Sequence, residues 1–136
     1  MKKIGVWLDK DNAFIVTLEN RKESIRYIPS NIEHYRIHGG SGTRLKGGPQ
    51  DVVQDSRYLE RQNHQFNVYF KEIVSYIKHG DVLALFGPAG TNERFKKTLE
   101  QLYPMINSKV VAVKKVDSMT ENQMKALVRD FFNKEL

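Results

Sequence analysis

Three short runs of β-type residues open the chain, Lys3–Leu8, Ala13–Leu18 and Glu23–Ile28, separated only by Asp9-Lys10-Asp11-Asn12 and Glu19-Asn20-Arg21-Lys22. A parallel return needs a crossover of a dozen or more residues, so gaps this short permit hairpins alone. The first part of the chain is thereby confined to an antiparallel meander, with turn-forming Asp and Asn in the first connection and Asn20 in the second.

The apolar period then changes. From Ser56 to His79 the residues Leu59, Phe66, Tyr69, Phe70, Ile73, Tyr76 and Ile77 recur at helical spacing and predict one long helix with a buried stripe, closed by Gly80. Val82–Phe86 is continuously apolar, as a strand covered on both faces would be. Gly87-Pro-Ala-Gly90 interrupts it, and a second helix aligns Phe95, Leu99 and Leu102. Val110–Val113 reads as another buried strand. The final helix opens at Thr120, with Gln123 placed for a capping box, and turns Met124, Leu127, Val128, Phe131 and Phe132 inward.

The predicted order is β-β-β-α-β-α-β-α. Two strands that enter through helical crossovers must join the meander right-handedly. The expected class is α/β, a ribonuclease H-like three-layer fold whose five-stranded mixed sheet has helices on its faces. At 136 residues the chain is read as a single domain, 1–136, without repeats or a linker.

Between the meander and the long helix lies the stretch His38-Gly-Gly-Ser-Gly-Thr-Arg-Leu-Lys-Gly-Gly-Pro-Gln50. It holds five of the nine glycines, Gly39, Gly40, Gly42, Gly47 and Gly48, and no acid occurs between Glu33 and Asp51. We expect a flexible basic loop at about 36–55, with Arg36, Arg44 and Lys46 as its cations. Arg57 and Arg61, one helical turn apart, extend that patch, although Asp55 and Glu60 offer solvated ion pairs as the plainer reading. The net charge of +6 favours a polyanionic partner through phosphate contacts.

Enzymatic readings find less support. Two-metal phosphodiester cleavage needs several converging carboxylates. Asp9 lies at the end of the first strand where one would belong, but Asp81 is at the wrong end of its strand, and Asp9 and Asp11 read as turn residues. A nuclease is disfavoured. Gly87, Gly90 and Thr91 form a candidate anion-binding turn, with a strand-to-helix connection capped by Thr91 as the alternative; the lysine and spacing of a P-loop are missing. His34, His38, His64 and His79 lack metal-ligand spacing and the chain has no cysteine, so no metal or cofactor is expected. Trp7 reads as core. The apolar run after Lys2-Lys3 stops at Asp9, too short for a signal peptide, and no run reaches membrane-spanning length. A cytoplasmic location is expected.

Several strings and their order resemble a known group: Val6-Trp7-Leu8-Asp9 with Ala13; Phe70-Lys-Glu-Ile73; Gly87-Pro88-Ala89 with Phe95; and Val113 to Asp117 leading into Thr120, Gln123, Val128, Arg129 and Phe131-Phe132. The chain resembles the bacterial translational machinery component family, itself related to the middle domain of eukaryotic and archaeal class 1 peptide-chain release factors and Pelota. In release factors the corresponding loop carries Gly-Gly-Gln, which assists ester hydrolysis at the peptidyl-transferase centre. Here it reads Gly47-Gly48-Pro49-Gln50. The inserted proline fixes a backbone angle, restricts Gly48 and removes an amide donor. The resemblance implies a non-enzymatic ribosome-, rRNA- or tRNA-associated domain in translation, rescue or quality control, with Arg36, Arg44, Lys46, Gly47, Gly48, Arg57 and Arg61 at the RNA. Peptidyl-tRNA ester hydrolysis through Gln50, and a protein-interaction module whose loop orders on a partner, are the alternatives.

Overall fold

Asp9 sets the first corner of the sheet. Its carboxylate oxygen Oδ1 accepts the backbone N–H groups of Asp11 and Asn12, each at 2.9 Å, an Asx turn that reverses the chain between β1 (Lys3–Leu8) and β2 (Asn12–Glu19). The second corner is a two-residue turn. Asn20 and Arg21 both have positive φ, as the tight turn into β3 (Lys22–Pro29) requires. Both connections are hairpins, as their lengths dictate.

The computed structural model describes the backbone of residues 1–33 and 49–135 and the side chains of 1–33 and 56–134. After the meander come α1 (Pro49–Ile77), β4 (Val82–Gly87), α2 (Thr91–Leu102), the one-turn α3 (Pro104–Asn107), β5 (Val110–Lys115) and α4 (Glu121–Glu135). The mixed sheet has the order β3-β2-β1-β4-β5; β1 pairs antiparallel with β2 and parallel with β4, and β5 is parallel to β4.

Alternation along the central strands feeds two cores. Ile4, Val6, Leu8, Leu83 and Leu85 meet Phe66, Tyr69, Phe70, Ile73 and Ile77 of α1 and Phe95 and Leu99 of α2. Trp7, Val16, Ala84 and Phe86 face the other way, onto Met124, Val128, Phe131 and Phe132 of α4. Gly5 admits α4 closely: a Cβ there would lie 2.4 Å from a Val128 methyl. The capping box opens α4 as its sequence predicts. Thr120 donates its N–H to Gln123 Oε1 at 2.9 Å, and Gln123 returns its own N–H to Thr120 Oγ1 at 3.2 Å.

Several boundaries differ from expectation. The long helix begins at Pro49, not Ser56, and ends at Ile77, so residues 49–55 form its first turns instead of belonging to the loop. Proline suits a first helical turn because its missing N–H would have no partner there. Polar residues dominate those turns and leave no apolar period to read. Pro104 starts the unexpected α3 for the same reason. Val110–Val113 is not a buried strand: β5 is an edge of the sheet, with Val111 and Val113 exposed. Its apolar run reflects β-propensity more than burial. Leu59 and Leu102, assigned to inner stripes, are also exposed. Tyr76 leaves its stripe because it lies under Arg26 of β3, whose guanidinium carbon is 4.4 Å from the ring centroid.

Candidate nucleic-acid interface

The α1 helix has 29 residues, a length of roughly 43 Å, whereas strands of six to eight residues span about 20–27 Å. Tyr69 marks where it passes the end of β1: its buried hydroxyl donates to the Asp9 carbonyl at 2.9 Å. Burial, reinforced by the carboxylates of Asp9 and Asp11, pushes this phenol well up, so it stays a proton donor. Twenty residues of α1 precede Tyr69, about 30 Å of helix; of these Phe66 is still in the core, and Arg61, Asn63 and Gln65 make polar contacts with Glu33 and Arg94.

Arg36, Arg44, Lys46, Gly47 and Gly48 lie outside the described residues, as do His34 and His38. Gln50 is placed by its backbone alone, in the first turn of α1. Arg57 is exposed on the same helix. Arg61 has a specific partner that spacing along α1 did not reveal. Its Nε and NH2 donate to Glu33 Oε2 and Oε1 at 3.1 and 3.0 Å. Gln65 completes the clamp, accepting the Glu33 N–H through Oε1 and donating Nε2 to Glu33 Oε2, each at 3.0 Å. The chain leaving the meander is thereby tied to α1 just before the Gly-rich stretch.

The Arg61 guanidinium holds the Glu33 carboxyl below the usual carboxylate range, outweighing desolvation, and the same contact raises Arg61. A carboxyl depressed in this way contributes stability above its ordinary range and loses it as pH falls through the lowered value. Arg61→Ala is therefore expected to move the Glu33 midpoint upward in an NMR carboxyl titration. A midpoint that stays in place would show that the clamp does not form in solution.

At the neighbouring strand-to-helix connection, Gly87 has φ 145° and Gly90 has φ 105°. The expected Thr91 cap is replaced by Gly90, with Thr91 the first helical residue. Glu93 Oε1 accepts the Gly90 N–H at 3.1 Å, so a carboxylate already occupies the cap amide ahead of α2. Asn92 is buried; its Nδ2 donates to the Lys114 carbonyl at 3.3 Å, while Oδ1 has no hydrogen-bond partner among the described residues. Arg94 packs 3.8 Å over the Phe66 ring and donates to Asn63 Oδ1 at 2.7 Å, joining α2 to α1; burial lowers its pKa. These groups make the connection rigid.

Asp9 and Asp11 act in the turn, as their spacing implied. Asp81 lies elsewhere and accepts the Lys2 N–H at 2.7 Å. Among the described residues no three His, Asp or Glu side chains gather where they could hold a metal ion. Trp7 is core, its Nε1 donating to the Asp117 carbonyl at 3.3 Å. Among the described residues no helix is long and apolar enough to cross a membrane.

No protein family and no curated protein matches the chain. Solved structures do. An archaeal translation termination factor, aRF1, is similar over 98% of this chain and 39% of its own, at 10% identity and a TM-score of 0.56. A structure described only as an archaeal protein covers 98% of this chain and 38% of its own, at 12% identity and a TM-score of 0.49. The chain thus spans about two fifths of the length of either. The likeness to the termination factor is one of fold.

Proposed function

We propose that the chain is a non-enzymatic ribosome- or RNA-associated domain that acts in translation, ribosome rescue or quality control in the cytoplasm. The observation that carries this reading is the fold shared with an archaeal translation termination factor over 98% of the chain. The net charge of +6 and the cations at Arg36, Arg44, Lys46 and Arg57 give the chemistry for phosphate contact. Arg61 adds to them while it clamps Glu33. We also assign the sheet order β3-β2-β1-β4-β5 to the ribonuclease H-like class.

In this reading, α1 is a lever that carries the Gly-rich stretch away from the sheet, and the glycines let backbone enter a narrow RNA channel. Sedimentation of cell lysate tests it. The wild-type protein is expected to travel with ribosomal particles at low salt and to leave them as salt rises. An Arg36→Gln/Arg44→Gln/Lys46→Gln variant should remain near the top of the gradient. Wild-type protein at the top at low salt would remove the ribosomal reading and direct attention to protein partners.

A second reading is peptidyl-tRNA ester hydrolysis assisted by Gly47-Gly48-Pro49-Gln50, with Gln50 in the first turn of α1. Here Gln50 would orient the attacking water, a positioning role whose removal lowers rates by roughly 100-fold or more. Gln50→Ala with an unchanged single-turnover hydrolysis rate eliminates it.

A further inference from the structure

At the end of the sheet opposite Asp9, a cleft of about 300 Å³ opens between the start of β1, the β2–β3 turn and the last turns of α4. Its charged lining is Lys3, Arg21, Lys22, Glu23 and Arg129, four cations against one carboxylate. That carboxylate is already engaged. Arg129 NH1 donates to both Glu23 oxygens, at 2.9 and 2.8 Å. The pairing uses NH1 alone and leaves Nε and NH2 without a partner among the described residues. Lys3, Arg21 and Lys22 likewise form no ion pair among the described residues.

Arg21 is the informative member. A two-residue turn with positive φ at both centres favours Asn followed by Gly. Asn20, at φ 52°, meets that preference, but Arg21 takes the glycine position at φ 66°. The turn thus holds a long cationic side chain where the backbone alone selects glycine, and it does so at the rim of a basic cleft. The carbonyl end of α4 opposes an anion here with about half a charge, a small term beside the four full cations.

We propose that this cleft binds the phosphate backbone of an RNA strand. A phosphate presents several acceptor oxygens, which suits a guanidinium edge flanked by ammonium groups. The eight residues of β3, roughly 25 Å, separate the cleft from the end of the sheet that leads toward residue 36. A polymer can reach both ends of such a body, whereas a small anion meets only one. The inference deepens the RNA-contact reading by giving it a second site, and it uses none of the residues between 36 and 50.

The test is titration of a labelled oligouridylate of about 12 nucleotides at about 50 and 200 mM salt. Arg21→Gly/Lys22→Gln is expected to bind roughly 10-fold more weakly at the lower salt, with a salt slope smaller by about 1.4 for two lost phosphate contacts. Because glycine suits this turn, the variant should melt no lower than the wild type, which separates lost binding from lost folding. Unchanged affinity and slope in that folded variant overturn the proposal. If binding is lost only in the Arg36→Gln/Arg44→Gln/Lys46→Gln variant, the RNA-contact reading stands and the cleft does not. Competition by inorganic phosphate equal to that of the oligonucleotide per phosphate overturns it in favour of a small-anion site. Equal competition by polyglutamate overturns it in favour of an acidic protein.

Discussion

Gly87→Ala is expected to destabilise the protein by about 3 kcal/mol or more, and by more than the same change at Gly90. A Cβ at Gly87 would lie 2.2 Å from the carbonyl oxygen of Leu8, and the residue has φ 145°. Backbone cannot rotate aside as a side chain can, so β4 would have to move away from β1 where these two central strands end. Gly90 has a similarly unusual φ of 105°, but a Cβ there meets nothing within 4 Å. Only conformational strain remains at that position, about 1–3 kcal/mol. Urea denaturation of the two variants gives the comparison. Equal midpoints would mean that β1 and β4 do not approach as closely as Leu8 and Gly87 indicate. The result bears on function because this junction fixes the end of the sheet past which α1 extends.

Reading such a chain depends on where tertiary contacts supply the signal. The meander was legible because short connections leave one solution, and both corners use the Asp and Asn residues that mark them. The α4 cap was legible because Thr120 and Gln123 are local partners. Helix starts at Pro49 and Pro104 were not, since polar turns show no apolar period and proline ordinarily signals interruption. The run Val110–Val113 has the same composition as a central strand; its position at the sheet edge follows from pairing order, which no local window contains.

The candidate interface divides in the same way. Arg57 and Arg61 share a helix and therefore look like one patch, but Arg61 is bound to Glu33, 28 residues away in sequence. Arg94 is similarly drawn to Phe66 across two helices. The cleft at Lys3, Arg21, Lys22 and Arg129 joins residues from both termini and had no sequence signal as a group. That Arg21 takes the second place of a two-residue turn, where glycine is the ordinary choice, follows only from the pairing of Glu19 with Lys22.

Phe70→Ala is expected to cost about 3–5 kcal/mol, because its ring is buried in the core that α1, α2 and the sheet share. Phe70 is buried, with its ring centroid 5.0 Å from Phe95, 5.5 Å from Phe66 and 5.6 Å from Tyr69. Truncation would open a cavity where α1, α2 and the sheet meet, and rigid aromatic neighbours can collapse into it only in part. Leu59, eleven residues earlier on the same helix, is 53% exposed. Leu59→Ala should therefore change stability by no more than about 0.5 kcal/mol. Denaturation midpoints measured side by side decide the matter. A large loss in Phe70→Ala with a negligible one in Leu59→Ala supports a helix whose apolar docking runs through Phe66–Ile77, preceded by the polar contacts of Arg61, Asn63 and Gln65. Comparable losses would mean that the earlier turns pack against the body as well, and α1 could then not act as a lever for the Gly-rich stretch.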